Sequence, residues 1–194
     1  MTRRGTGTVL FLAAVILLAA RVTAPAQEKE GPPAGEAPGV TEKAPLLSAG
    51  GAAPGFRLAD VAGPPFSYGE KGRRKPLLLA FFSIFCEPCR IQLTVLQGMQ
   101  KKYGGSGLEV AAISLDGEAL KTTVAGFAQQ EGYTFRVLLD QVSGERLFRV
   151  ADAYRVTEIP TLYLVDRAGR IAFAGTGRVT EVSLGKAVSA VLRK

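Results

Sequence analysis

The sequence predicts an α/β domain with a mixed central sheet flanked by helices, and three observations carry that prediction. Residues Leu77–Phe82 (LLLAFF) form an unbroken apolar run of strand length, the pattern of a strand covered on both faces. After it, strand-like and helix-like segments alternate, which favours parallel pairing through helical crossovers. The chain then closes with two short strands around a turn and an amphipathic helix.

Two stretches precede the domain. Residues 1–26 carry Arg3 and Arg4, an apolar run over 9–20, and Ala24-Pro25-Ala26, a small-x-small cleavage pattern. This reads as an export signal. The run is 12 residues long, short of the roughly 20 that span a bilayer, so an uncleaved anchor is the weaker alternative. Residues 27–53 contain 15 Gly, Pro and Ala and few large apolar side chains, the composition of a flexible linker. The folded domain is expected over 54–194.

Within the domain, 56–59 alternate as a strand, and Gly63-Pro64-Pro65 marks a turn. After Leu77–Phe82 a helix is expected over Glu87–Tyr103, with Ile91, Val95, Leu96 and Met99 on its apolar stripe and Gly104-Gly105 as its stop. Residues 108–115 (LEVAAISL) read as a second buried strand, 120–131 as a helix, 135–139 as a short strand and 146–153 as a short helix. Thr161–Val165 and 171–174 flank the turn Asp166-Arg167-Ala168-Gly169, and 180–192 form the closing helix.

Composition excludes several chemistries. The net charge is +7, but Arg3, Arg4 and Arg21 supply three of those charges, and the remainder is too mild to imply nucleic acid. The basic run KGRRK at 71–75 reads as a solvated connector. The chain has 0 histidines and 2 cysteines. Ser-His and Cys-His catalysis are therefore absent, as are His-ligated haem and Cys/His zinc sites, and two thiolates leave zinc short of four ligands. No cofactor is implied.

Cys86-Glu87-Pro88-Cys89 falls where a buried strand runs into a helix. At a helix N-terminus, unpaired N–H groups and the positive end of the dipole stabilise a thiolate, so Cys86 is the expected nucleophile. Cys89, three residues on, lies on the same helix face and is the expected resolving thiol. A purely structural disulfide is the bland alternative, but a loop of about four residues contributes only roughly 2 kcal/mol. A second element, Ile159-Pro160-Thr161, stands immediately before a strand.

With these residues in view, the chain resembles the thioredoxin superfamily, and more narrowly the TlpA/ResA-like extracytoplasmic thiol-disulfide oxidoreductases, over about 54–194. The resemblance rests on 53–58 (APGFRL), 81–90 (FFSIFCEPCR), 110–116 (VAAISLD), 137–140 (VLLD), Tyr154-Arg155-Val156 and 159–166 (IPTLYLVD). It implies a thioredoxin-like fold and a cis peptide bond at Pro160 set against the dithiol, where backbone next to Ile159 pairs with an incoming peptide. It also implies a periplasmic or otherwise extracytoplasmic protein that reduces cysteines of partner proteins, often in cytochrome c maturation. Electrons would come from a membrane thiol donor, and the N-terminal segment is a candidate membrane tether.

Departures from the family pattern are equally specific. Where the family carries Trp before the first Cys and again three residues earlier, this chain has Phe85 and Phe82, which keep aromatic packing but lose the indole N–H donors. Ala80 replaces the buried acid of thioredoxins, and Gln92 replaces the Glu of the ResA-like branch. Glu87 and Glu158 are the nearest candidate proton acceptors, although each reads more simply as a solvated charge. A carboxylate beside Cys86 opposes the helix-end effect and favours a reductant. Two alternatives remain. A peroxiredoxin-like peroxidase would need Thr at Ser83, and a copper-handling module would hold a soft ion between two thiolates.

Overall fold

A computed structural model describes residues 45–69, 75–141 and 148–193. The expected export signal, the linker up to residue 44 and residues 71–74 of the basic run lie outside them.

The architecture is a mixed 7-stranded sheet in the order β2-β1-β5-β4-β3-β6-β7. The strands are β1 (Phe56–Asp60), β2 (Phe66–Tyr68), β3 (Leu77–Phe82), β4 (Glu109–Ser114), β5 (Arg136–Leu139), β6 (Thr161–Val165) and β7 (Ile171–Thr176). The helices are α1 (Glu87–Tyr103), α2 (Lys121–Gln130), α3 (Arg149–Ala153) and α4 (Glu181–Leu192). Strands β3, β4 and β5 run parallel, whereas β6 pairs antiparallel with β3 and β7 antiparallel with β6. The mixed α/β sheet expected from the sequence is therefore present, and the chain has the thioredoxin-like α/β fold.

Strand β3 organises the core because every one of its residues is buried. Leu78, Ala80 and Phe82 join α1, α2 and α4 in one apolar cluster, while Leu77, Leu79 and Phe81 join α3 and the β1–β2 pair in another. Two-sided cover accounts for the unbroken run LLLAFF: neither face of the pleat meets water.

Helix α1 has the expected bounds, and its buried face matches the expected stripe in part. Leu96 and Met99 are buried and Val95 packs against the core, but Ile91 is 40% exposed, and the helix also buries Gln92, Leu93 and Gln97. The two glutamines are tolerated because their amides bond across the fold. Gln97 Nε2 donates to Thr134 Oγ1 at 2.9 Å and its Oε1 accepts from Thr134 N, while Gln92 Oε1 accepts from Val179 N.

Two further differences concern the N-terminal part. Strand β2, absent from the expected elements, follows the Gly63-Pro64-Pro65 turn and pairs antiparallel with β1. Residues 45–53, expected as linker, make contacts with the folded unit. Gly50 N donates to Ile171 O and Ile171 N to Gly51 O, both at 2.8 Å, and Leu46 and Leu47 pack on the second cluster. Backbone pairing of this kind needs no particular side chains, so a Gly/Ala-rich stretch carries it without a sequence signal. The short helix expected over 146–153 is observed as Arg149–Ala153, residues 146–147 lying outside the described ones. Among the described residues, no helix is long and apolar enough to cross a membrane.

Candidate redox site

The site is built where β3 hands over to α1. Beyond Phe82 the chain turns through Ser83, Ile84 and Phe85, and Cys86 is the N-cap of α1 with extended backbone. The Cys86 sulfur accepts from Cys89 N at 3.3 Å, so it occupies the anion position of a helix start. Cys86 and Cys89 are joined as a disulfide, with their Cα atoms 5.2 Å apart. Their exposure differs: Cys89 is 0% exposed in the core beneath the helix, while Cys86 is half-buried. Only the Cys86 side of the pair is open to a partner. Glu87, acidic in the first turn, and Pro88 continue the helix start, both exposed.

Opposite the pair stands the loop before β6. The Ile159–Pro160 peptide bond is cis, Cys86 Sγ lies 4.0 Å from Ile159 O, and Pro160 is buried. The structure thus brings together Cys86, Cys89, Ile159 and Pro160. Glu158 is exposed beside the cis bond, and its backbone carbonyl accepts from Thr161 Oγ1 at 2.6 Å.

The two expected aromatic replacements separate. Phe82 is 1% exposed and packs in the core, but Phe85 is 75% exposed, so aromatic packing is kept at the first and not at the second. Next to a reactive sulfur, an exposed ring offers apolar surface to a partner. Ala80 puts a methyl group into the cluster that also holds Cys89.

Gln92 is 1% exposed, one turn beyond Cys89. Its Oε1 accepts from Val179 N at 2.7 Å, and nearby Gly177 N donates to Pro160 O at 2.7 Å. The turn before α4 is thereby bolted to both the dithiol helix and the cis-proline loop. The Gln92 Nε2 group has no hydrogen-bond partner among the described residues. In Gln92→Glu the carboxylate keeps the Val179 bond, while burial raises its pKa above the ordinary value of about 4.3. A raised carboxyl pKa leaves stability untouched below the unfolded value and removes it as pH climbs toward the folded one. The variant is expected to match the parent in thermal melts at acidic pH and to fall below it at alkaline pH, by about 1.4 kcal/mol for each tenfold weakening of the buried acid. A pH-independent difference would contradict this.

A polar cluster not anticipated from the sequence holds the turn from below. Asp116, just past β4, accepts from Ser83 Oγ and Ser114 Oγ, each at 2.6 Å, and from Ile84 N at 3.0 Å. Ser83 Oγ in turn accepts from Phe85 N at 3.2 Å. The hydroxyl on which a peroxidase reading would depend is thus already engaged. The available signal was the polar pair Ser114 and Asp116 ending an apolar strand.

A shallow cavity of about 380 Å³ lies beside Glu87, Arg90, Ile91, Thr94 and Glu131. A larger one, about 810 Å³, is lined by Glu109 and Arg136 where β4 and β5 begin. Since those strands run parallel to β3, it lies at the opposite end of the sheet from the dithiol.

A disulfide at a helix N-cap, half-open to solvent and set against a cis-proline loop on this fold, defines a thiol-disulfide oxidoreductase of the thioredoxin superfamily. Residues 49–174 match the AhpC/TSA family. The chain is 33% identical to the thiol-disulfide oxidoreductase ResA of Bacillus subtilis over 70% of its own length and 71% of that protein. It is 29% identical to the ResA of Geobacillus kaustophilus over 78% and 82% of the two chains. The crystal structure of a protein from Chlorobium tepidum, assigned as the thiol:disulfide interchange protein DsbE, superposes with a TM-score of 0.65 at 28% identity, over 75% of this chain and 99% of that one. The chain belongs to the AhpC/TSA family, and within it to the ResA-like thiol-disulfide oxidoreductases.

Proposed function

We propose that this protein is an extracytoplasmic reductase of protein disulfides, with apocytochrome c among its candidate substrates. The observation that carries the reading is the asymmetry of the pair: Cys86 is half-exposed at the helix N-cap, and Cys89 is 0% exposed behind it. In the reduced protein, Cys86 thiolate attacks one sulfur of a partner disulfide, and the other partner sulfur leaves as thiolate and takes up a proton. Cys89, deprotonated, then attacks Cys86 and expels the partner's second thiol. Two electrons have moved to the partner, and the Cys86–Cys89 disulfide awaits re-reduction by a membrane thiol donor.

The surroundings support a polypeptide partner. Exposed Phe85 and the shallow cavity beside Glu87 suit an extended chain laid along the cis-proline loop. Ile159 and Pro160 border its path, Glu87 and Glu158 face solvent on either side as candidate proton acceptors, and Pro88 shapes the helix start. The export-signal pattern of residues 1–26, a membrane tether where cleavage fails with the following stretch as spacer, supports the extracytoplasmic assignment.

The reduction potential of the pair against glutathione tests the direction. Framework proteins of this kind range from about −270 mV to about −120 mV. A value toward the reducing end is expected, and one near the oxidising end would overturn the reductase assignment.

A further inference from the structure

The three peptide groups that deliver Cys86 to its position all end in one small polar cluster. Ile84 N donates to Asp116 Oδ2 at 3.0 Å, Phe85 N to Ser83 Oγ at 3.2 Å, and Cys86 N to Ser83 O at 3.2 Å. Ser83 Oγ is itself held by Asp116 Oδ1 at 2.6 Å. The carboxylate is fixed from the other side, because Ser114 Oγ donates to Asp116 Oδ2 at 2.6 Å and Asp116 N donates back to Ser114 Oγ at 3.1 Å. Ser114 is 0% exposed and is the last residue of β4, so the cluster is anchored in the buried centre of the sheet.

We propose that Asp116, acting through Ser83, is a positioning residue for the dithiol: it holds the turn from Ser83 to Phe85 so that the Cys86 sulfur stays on the helix N-terminus and against Ile159. The inference rests on the oxidoreductase reading. Short hydroxyl-to-carboxylate bonds are about twice as strong as neutral ones, which suits them to fixing a turn that has no sheet partner of its own. The same anchoring explains how Phe85 is displayed at 75% exposure while its neighbours on both sides are tied down. Asp116 touches neither sulfur, so its influence passes through backbone geometry: the Cys89 N–H to Cys86 Sγ contact of 3.3 Å and the 4.0 Å approach to Ile159 O both depend on where the turn sets Cys86.

The test measures the rate at which the reduced protein attacks oxidised glutathione, together with the Cys86 thiolate pKa from ultraviolet thiolate absorbance. Asp116→Ala and Ser83→Ala are each expected to slow attack about tenfold, the worth of one such hydrogen bond. Ser83→Thr, which keeps the hydroxyl, is expected to retain the parent rate. In Ser83→Ala the carboxylate stays while the anchor is lost, so the Cys86 thiolate pKa is expected to rise. If Asp116→Ala does not fold, Ser83→Ala and Ser83→Thr carry the test alone. A lower melting temperature with unchanged rate and unchanged pKa would reduce the cluster to a structural brace and overturn the proposal. Parent protein that does not exchange at all would instead overturn the oxidoreductase reading, and the positioning role with it.

Discussion

Cys86→Ser is expected to abolish disulfide exchange, while Cys89→Ser is expected to keep the attack and stall it at a mixed disulfide. The two outcomes differ because the two sulfurs differ in access. Cys86 caps the helix, where Cys89 N–H faces its sulfur at 3.3 Å, and it is the half-exposed member of the pair. Without it no thiolate meets a partner, since Cys89 is 0% exposed. Cys89 acts only afterwards, at intramolecular distance, on the bond that Cys86 has formed. Each variant also loses the Cys86–Cys89 bond, a stability change of roughly 2 kcal/mol for so short a loop. That leaves a loss of exchange far larger than partial unfolding can explain. Non-reducing gels of Cys89→Ser incubated with extracts or a disulfide peptide are expected to show adducts that vanish on reduction and in the double variant. Exchange persisting in Cys86→Ser, or adducts independent of Cys86, would sink the mechanism.

What was legible in the sequence follows from how far each determinant reaches along the chain. β3 could be read because two-sided burial makes all six of its residues apolar. The α1 bounds could be read because a strand end, a cysteine cap with Pro at the helix start, and Gly104-Gly105 are all local. Its buried face could be read only in part: Leu96 and Met99 are buried as expected, but Gln92 and Gln97 pass as surface residues until their partners are known, and those partners are 87 and 37 residues away. The pairing of residues 50–53 with 169–171 is invisible for the same reason, being mostly backbone, with Arg170 Nη1 donating to Gly50 O at 2.8 Å some 120 residues away. At the site, the cysteine pair and Pro160 were legible from the motifs they sit in. The Asp116 cluster was not, because Ser83 and Asp116 are 33 residues apart and meet only when β3 and β4 pair in parallel register.

The replacements at Phe82, Phe85, Ala80 and Gln92 look alike in sequence, as losses of residues that usually tune such a pair. In the fold they divide into two kinds. Ala80 and Phe82 are apolar filling, each 1% exposed in the cluster with Cys89, and they leave the buried sulfur in hydrocarbon. Such surroundings offer a buried sulfur neither charge partner nor water. Gln92 and Phe85 face functional neighbours instead, one tying α1 to the turn that holds Pro160 O, the other standing in solvent beside Cys86. The chain therefore separates an accessible sulfur at a helix end from a second sulfur in a dry core, which is the ordering that attack followed by resolution requires.

The largest stability effect is expected at Asp140, far from the cysteines in sequence. Its carboxylate is 1% exposed and accepts from Gln141 N at 2.8 Å, from Val150 N at 3.0 and 3.1 Å, and from Ala151 N at 2.8 Å. It thus terminates β5 and caps α3 at once. Val150 and Ala151 are 2% and 3% exposed, so water does not replace the carboxylate when it is removed. Each buried N–H left unpaired costs about 1–3 kcal/mol, which puts Asp140→Ala at about 3–4 kcal/mol. Against the roughly 5–15 kcal/mol that holds a domain together, this is a large fraction. Asp140→Asn keeps one carbonyl acceptor but turns an amide toward the remaining donors, and an intermediate loss is expected. The effect should also reach the site. α3 leads directly into Tyr154, whose hydroxyl donates to Pro54 O at 2.8 Å and whose carbonyl accepts from Tyr163 Oη at 2.6 Å, and from there the chain runs to Ile159 and Pro160. Denaturant unfolding at neutral pH measures the stability loss, and exchange kinetics on the fraction still folded measure its transmission. A loss below about 1 kcal/mol would mean that Val150 and Ala151 find other acceptors, and that the capping carboxylate is not what holds the cis-proline loop in place.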